Sequence, residues 1–154
     1  MKVYLGADHG GYQLKEQLKQ FLLAEGHQVG DFGCHSTESV DYPDFALLVA
    51  RAVAGAGAGG GAGRGIMIDS IGQASALVAN KVAGVRAVVG FSLFAVESAR
   101  SHNDANLLCL GGQVLGVGLA RALVQRFLDT PFAGGRHQKR LDKITEIERL
   151  ARGK

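Results

Sequence analysis

The sequence predicts an α/β fold, a three-layer sandwich in which a five-stranded parallel sheet lies between two layers of helices. Three observations predict it. Short apolar runs of strand length alternate with longer segments whose apolar residues recur every three or four positions. The strand-type runs are apolar on both faces, as strands covered by helices on each side are. A length of 154 residues suits one domain, 1–154, burying about two-thirds of its unfolded surface.

The first strand is 3–8, VYLGAD, and it ends in Asp8. Leu14, Leu18, Phe21 and Leu22 then form a helical stripe, which Gly26 stops because glycine enters the left-handed conformation without strain. HQVGDFG, 27–33, is a weaker strand. Pro43 fits the first turn of a helix bearing Phe45, Leu48, Val49 and Ala52, where its missing N–H has no intrahelical partner to lose. GIMID, 65–69, and VRAVVG, 85–90, are strands with a helix between them. Ser92 is placed to cap a helix running to about His102, and NLLCLGG, 106–112, is the last strand. Two helices close the chain. One, 115–128, is striped by Leu115, Leu119, Leu123 and Phe127; the other, 138–151, carries Leu141, Ile144 and Ile147. Asp129-Thr130-Pro131 separates them, since proline cannot continue a helix.

Composition narrows the function. An apolar fraction of 47% and a charged fraction of 20% are those of a globular protein. No apolar run approaches the ~20 residues that span a bilayer, which argues against a membrane role. No signal-peptide pattern precedes the first strand, so the expected location is the cytoplasm. Cys34 and Cys109 lack metal-ligand spacing and read as reduced, structural thiols. The net charge of +3 is concentrated in 136–154, with seven Lys/Arg against three acids. That surplus is too small and too interleaved for nucleic acid and suits a pocket for a small anion. Gly55-x-Gly57-x-x-Gly60 has the form of a dinucleotide fingerprint, but it follows a helix and precedes a strand. The reverse order is required, so 55–65 reads as a flexible helix-to-strand connection.

Ligands of open parallel sheets bind at the carboxyl ends of strands, which selects Asp8 and His9 after the first strand and Asp69 to Ala74 after the third. Asp69 has two compatible readings. It caps the following helix, or it is a general base beside a turn of small residues whose amides face a developing oxyanion. Asp8-His9-Gly10-Gly11 caps a helix or contacts substrate hydroxyls and an anion. His102-Asn103 ends a helix, where an imidazole either complements the helix dipole or shuttles a proton near neutral pH. Arg136 and Arg140, four residues apart on one face, either grip a single phosphate or are solvated surface charge.

The segments GADHGG, DYPDFA, ANKVAGVRA, SHNDAN and GGRHQKR, in that order, resemble the ribose-5-phosphate isomerase B and galactose-6-phosphate isomerase family over nearly the whole chain. The resemblance implies a Rossmann-like domain and dimers, sometimes paired into tetramers, with shared active sites and a C-terminal helix used in dimerisation. It implies interconversion of aldose and ketose phosphates without metal or organic cofactor. Carried onto this sequence, Asp8 and Tyr42 line the sugar and His9 lies near the substrate. His102 assists ring opening, and Asn103 holds the reacting oxygens. Arg136, His137 and Arg140 contact the phosphate, while Gly72 belongs to the loop whose amides stabilise an enediolate.

The sequence departs from the family at the third strand. Many members carry a cysteine base where this chain has Asp69, followed by Gly-Thr-Gly-x-Gly; others use a glutamate where it has Ser75. Ile71 replaces a common threonine, and Ala74 replaces a loop glycine. The pattern Asp69-x-x-Gly72-x-x-Ser75 is similar to the small subunit of galactose-6-phosphate isomerase, which works with a cysteine-bearing subunit. An aspartate with an ordinary pKa of about 3.9 is a weak base, which desolvation in a closed pocket would strengthen. The expectation is therefore an aldose–ketose isomerase of the ribose 5-phosphate/ribulose 5-phosphate type, with Asp69 as base and His102 as its second catalytic group. The alternative is a non-catalytic sugar-phosphate-binding paralogue, or the partner of a cysteine-bearing homologue in a hetero-oligomer.

Overall fold

The computed structural model describes residues 1–58 and 63–153. Of the expected 55–65 connection, 59–62 lie outside the described residues, while 55–58 continue the second helix and 64–65 begin the third strand, so the connection is shorter than the Gly/Ala run. The elements in chain order are β1 (Lys2–Ala7), α1 (Tyr12–Ala24), β2 (Gln28–Asp31), α2 (Tyr42–Ala58), β3 (Arg64–Asp69) and α3 (Gln73–Ala79). Then come β4 (Ala87–Val89), α4 (Leu93–Asn103), β5 (Leu107–Gly111), α5 (Val117–Asp129) and α6 (Arg136–Arg152). All strand pairs are parallel, in the order β2-β1-β3-β5-β4.

Side chains alternate across the pleat and so feed two cores. Val3, Leu5, Ile66, Ile68, Leu108 and Leu110 pack against Leu18 of α1, Val96 of α4 and Phe127 of α5. Tyr4, Met67, Leu107 and Cys109 face the other way, onto Val49 of α2 and Ala76 of α3. Full burial of each such aliphatic side chain contributes about 1.5–3 kcal/mol. Because α1 covers one face and α3 the other, the connections leaving the adjacent strands β1 and β3 diverge. The crevice between their carboxyl ends is thus a topological switch point.

Local signals act largely as the sequence implies. Gly26 has φ +79 just beyond α1, and the Ser92 hydroxyl accepts the Ala95 N–H at 3.1 Å at the head of α4. β4 is shorter than 85–90, since the Arg86 N–H is drawn to the Asn106 side chain at 2.7 Å. α5 starts at Val117 rather than 115, and Leu115 packs against the core from the loop. α6 buries His137 and Leu141 and leaves Ile144, Ile147 and Leu150 exposed along its outer stripe.

Candidate active site

Asp8 follows β1 and Asp69 ends β3, its neighbour in the sheet, and both are buried, with 6% and 4% of their surface exposed. The loop after β3 closes on the Asp69 carboxylate. Its Oδ1 accepts the N–H groups of Ile71, at 2.9 Å, and of Gly72. Its Oδ2 accepts the Ser75 N–H at 2.8 Å and the Ser75 hydroxyl at 2.6 Å. Four donors occupy the four acceptor positions a carboxylate offers. The N-cap of α3 is Gly72 itself, at φ +91, and a Cβ there would stand 2.9 Å from the Leu110 carbonyl carbon. The amide expected to serve an enediolate, that of Gly72, points in this conformation at Asp69.

Asp8 is less engaged. Its Oδ1 accepts the Gly11 N–H at 3.0 Å. Burial raises its pKa, the Gly11 amide opposes that, and the neighbouring Asp69 charge adds to it. Asp8, Tyr42, Asp69, Ile71, Gln73 and Ala74 line a cavity of about 290 Å³. A neighbouring cavity of about 280 Å³ opens beside His9, Gly10, Thr37 and Gln113. His9 is exposed, and its Nδ1 lies 3.2 Å from both the amide and the carbonyl of Val40, which ties it to the segment leading into Tyr42. A larger cavity of about 650 Å³ lies between α6 and β4; Val85, Ala87, Ile144 and Ile147 give it apolar walls, and Lys81, Arg86, Asn103, Glu148 and Arg152 supply its polar lining.

The second set of candidates forms its own cluster. The His102 and His137 rings stack with centroids 4.2 Å apart and planes 10° apart. The Ser98 hydroxyl lies 3.2 Å from His102 Nδ1. Burial lowers the His137 pKa, and the neighbouring His102, Arg136 and Arg140 lower it further. Arg136, Arg140, His102 and Asn103 are exposed around the stack. Here the dense positive charge of α6 meets the end of α4, an arrangement suited to a phosphate.

The two clusters do not meet within one chain. Helices of a parallel α/β sheet return against the strand direction, so α4 ends beside Arg86 and Asn106, which precede β4 and β5. Asp69 pairs in register with Gly111 at the far end of β5. The length of that strand, about 15–20 Å at 3.3 Å per residue, separates the clusters. Among the described residues no group of three His, Cys, Asp or Glu side chains is placed to hold a metal ion.

A family model described as Ribose/Galactose Isomerase matches residues 3–144. The chain belongs to that family. Among its relatives in this isomerase family is ribose-5-phosphate isomerase B of Escherichia coli, 41% identical over 96% of this chain and 96% of that protein. Another is ribose-5-phosphate isomerase B of Mycobacterium leprae, 40% identical over 97% of this chain and 91% of that one. The structure of ribose-5-phosphate isomerase B from Clostridium thermocellum superposes with a TM-score of 0.92 at 46% identity, covering 98% of this chain and 99% of that chain. That of the Mycoplasma genitalium enzyme with bound ribulose-5-phosphate gives 0.90 at 36% identity, covering 96% of each. Family membership makes the α/β fold and the aldose–ketose class of chemistry firm.

Some contacts in the site are not given by local periodicity. Ser75 stands out in the sequence only through the pattern Asp69-x-x-Gly72-x-x-Ser75, and its bond to Asp69 spans the turn between β3 and α3. Arg86, Arg100 and Asp104 converge behind His102 and Asn103, although Asp104 lies inside the SHNDAN segment.

Proposed function

We propose that this chain interconverts an aldose phosphate and a ketose phosphate, of the ribose 5-phosphate/ribulose 5-phosphate type, in a cleft completed by a second copy. The supporting observation is the separation of the clusters. The carboxylates and the arginines lie at opposite ends of one sheet, and a two-fold related partner can present its His102–Arg140 cluster to the Asp8–Asp69 crevice. Arg136, His137 and Arg140 anchor the phosphate, and His102 passes the proton that opens the sugar ring. Asn103, Tyr42, His9 and Asp8 hold the sugar oxygens.

Asp69 then takes the proton from C2 of the open aldose, leaving an enediolate with its charge on O1, and returns it to C1 as the hydroxyl proton passes from O2 to O1. All of its acceptor positions are filled, so one donor must yield, and the Ser75 hydroxyl is the only one of the four that can simply rotate. As Asp69 is protonated, its hold on the Ile71 and Gly72 amides weakens. Those amides then follow the negative charge onto the enediolate oxygen. A second reading, favoured by the hydrogen bonding, makes Asp8 the proton acceptor and leaves Asp69 to shape the loop, because Asp8 Oδ1 holds a single amide and burial raises its pKa.

The test mixes two inactive variants, Asp69→Asn and His102→Asn. Shared sites give mixed dimers one intact cleft, so activity on ribose 5-phosphate recovers to about a quarter of the wild-type value. No recovery with dimers shown to exchange would overturn the shared cleft. Comparing Asp8→Asn with Asp69→Asn separates the two readings of the base. Thermal stabilisation by ribose 5-phosphate, allose 6-phosphate or galactose 6-phosphate without turnover would instead indicate the non-catalytic or partner-subunit reading.

A further inference from the structure

Behind the His102–Asn103 turn lies a charged network that takes no part in the proposed proton transfers. Asp104 closes α4 at φ +45, ψ +44, the only non-glycine residue with positive φ among the described residues. Aspartate tolerates that conformation better than residues without a short polar side chain, but it is still a strained choice for a helix end. Two guanidinium groups grip its carboxylate. Arg86 donates to Oδ2 at 2.7 Å and Arg100 to Oδ1 at 2.8 Å.

Each arginine also holds backbone. Arg86 Nε donates to the carbonyls of Asn103, at 2.9 Å, and of Asp104, at 3.0 Å. Arg100 is only 2% exposed; it donates to the Ala105 carbonyl at 2.6 Å and, through Nε, to the Thr130 carbonyl at 3.2 Å. The Ala133 N–H donates to the Ser101 carbonyl at 2.9 Å. The network therefore joins the turn that displays His102 and Asn103 to the 130–135 connection that launches Arg136, His137 and Arg140.

We infer that Asp104, clamped between Arg86 and Arg100, is a positioning residue that sets the His102–Asn103 pair relative to the phosphate-binding head of α6. The inference rests on the proposed roles of His102, Asn103 and the α6 arginines. Its chemistry is simple. Buried or half-buried charge-assisted bonds are directional and resist relaxation, so they can hold a strained helix end where weaker bonds would let it relax. A displacement of the order of an ångström in a group that moves a proton is enough to cost about 100-fold in rate.

The test compares Asp104→Gly, which removes the carboxylate and relieves the backbone, with Asp104→Asn, which keeps left-handed tolerance and one acceptor. Steady-state kinetics on ribose 5-phosphate and imidazole NMR of His102 and His137 are the readouts. A positioning role predicts a fall in kcat of about thirtyfold for Asp104→Gly, a smaller change in KM, displaced His102 resonances, and partial rescue in Asp104→Asn. A purely structural helix cap predicts the reverse order, with glycine the better tolerated. Wild-type kcat together with unmoved His102 resonances in Asp104→Gly overturns the proposal. If Asp104→Gly does not fold, Arg86→Met, which cuts the clamp from its partly exposed side, is judged by the same two readouts. If the wild-type protein turns over no ribose 5-phosphate, the functional reading fails, and the resonances alone decide the positioning: displaced, it stands; unmoved, it falls.

Discussion

His102 and His137 stack face to face with ring centroids 4.2 Å apart, one from the end of α4 and the other from the first turn of α6. Two imidazoles at that distance do not both carry charge readily, and His137 is the one whose pKa burial, His102 and the two arginines depress. His137 is therefore expected to titrate below the usual value of about 6.5, as read by imidazole NMR. Inorganic phosphate bound by Arg136 and Arg140 adds negative charge and should raise it again. Between the lower folded value and the unfolded one, the native state binds fewer protons. This contribution to stability is thus present above pH of about 6.5 and is lost as pH falls through that window. Urea midpoints at pH 5 and pH 7.5 should differ less in His137→Gln than in the wild type.

Acid should also reach a second network. Lys15, fully buried on α1, donates to both oxygens of Asp31 at 2.9 Å, and Lys19 adds a bond at 2.7 Å. Burial alone would raise the Asp31 pKa, but the bonds from Lys19, Lys15 and the Gly33 amide outweigh it and bring the value to about 2. A depressed carboxyl pKa stabilises the fold at pH above about 4, and that stability, about 2 kcal/mol, disappears as pH drops from about 4 to about 2. Asp31→Asn should cost about 2 kcal/mol in urea unfolding at pH 7, because the buried Lys15 ammonium loses one of its two carboxylate partners and keeps only Glu16, at 2.7 Å. Replacing Lys15 and Asp31 together by methionine and leucine should cost far less.

Gly72→Ala should damage both stability and turnover. The residue sits at φ +91, where a side chain is strained, and its Cβ would meet the β5 backbone at 2.9 Å. A cost of about 2 kcal/mol or more is expected, with the loop that holds Asp69 displaced. Thermal melting and kcat measured on the same sample check it.

Asp69→Asn is expected to abolish turnover, but it will not be silent in folding. An amide nitrogen facing the Ser75 N–H sets donor against donor, which should cost about 1–3 kcal/mol. Turnover must therefore be measured well below the melting temperature of the variant. Asp69→Cys, which restores the base type of many family members, tests whether the position or the carboxylate matters. Activity in that variant with none in Asp69→Asn favours Asp69 over Asp8 as the proton acceptor.

Much of this was legible in the chain itself. Helical stripes such as Leu14, Leu18 and Leu22, and strands apolar on both faces such as 65–69, state which surfaces are buried, because periodicity is a local property. The caps at Ser92 and Gly26 were equally local. Asp8 and Asp69 followed from a rule of parallel sheets, that strand ends carry function. The bonds between Asp69 and Ser75, the burial of Lys15 and the grip of Arg86 on Asp104 were not legible. They join residues at spacings that no helix or strand repeats, or across 16 to 18 positions of chain.

The sequence by itself determined the layers of the fold, the strand ends and the residue types available for phosphate and proton chemistry, since these follow from short-range pattern and composition. The tertiary structure alone decided that the carboxylates and the His102–Arg140 cluster stand at opposite ends of one sheet. That depends on strand order and on the direction in which α4 returns, which only the packed chain sets.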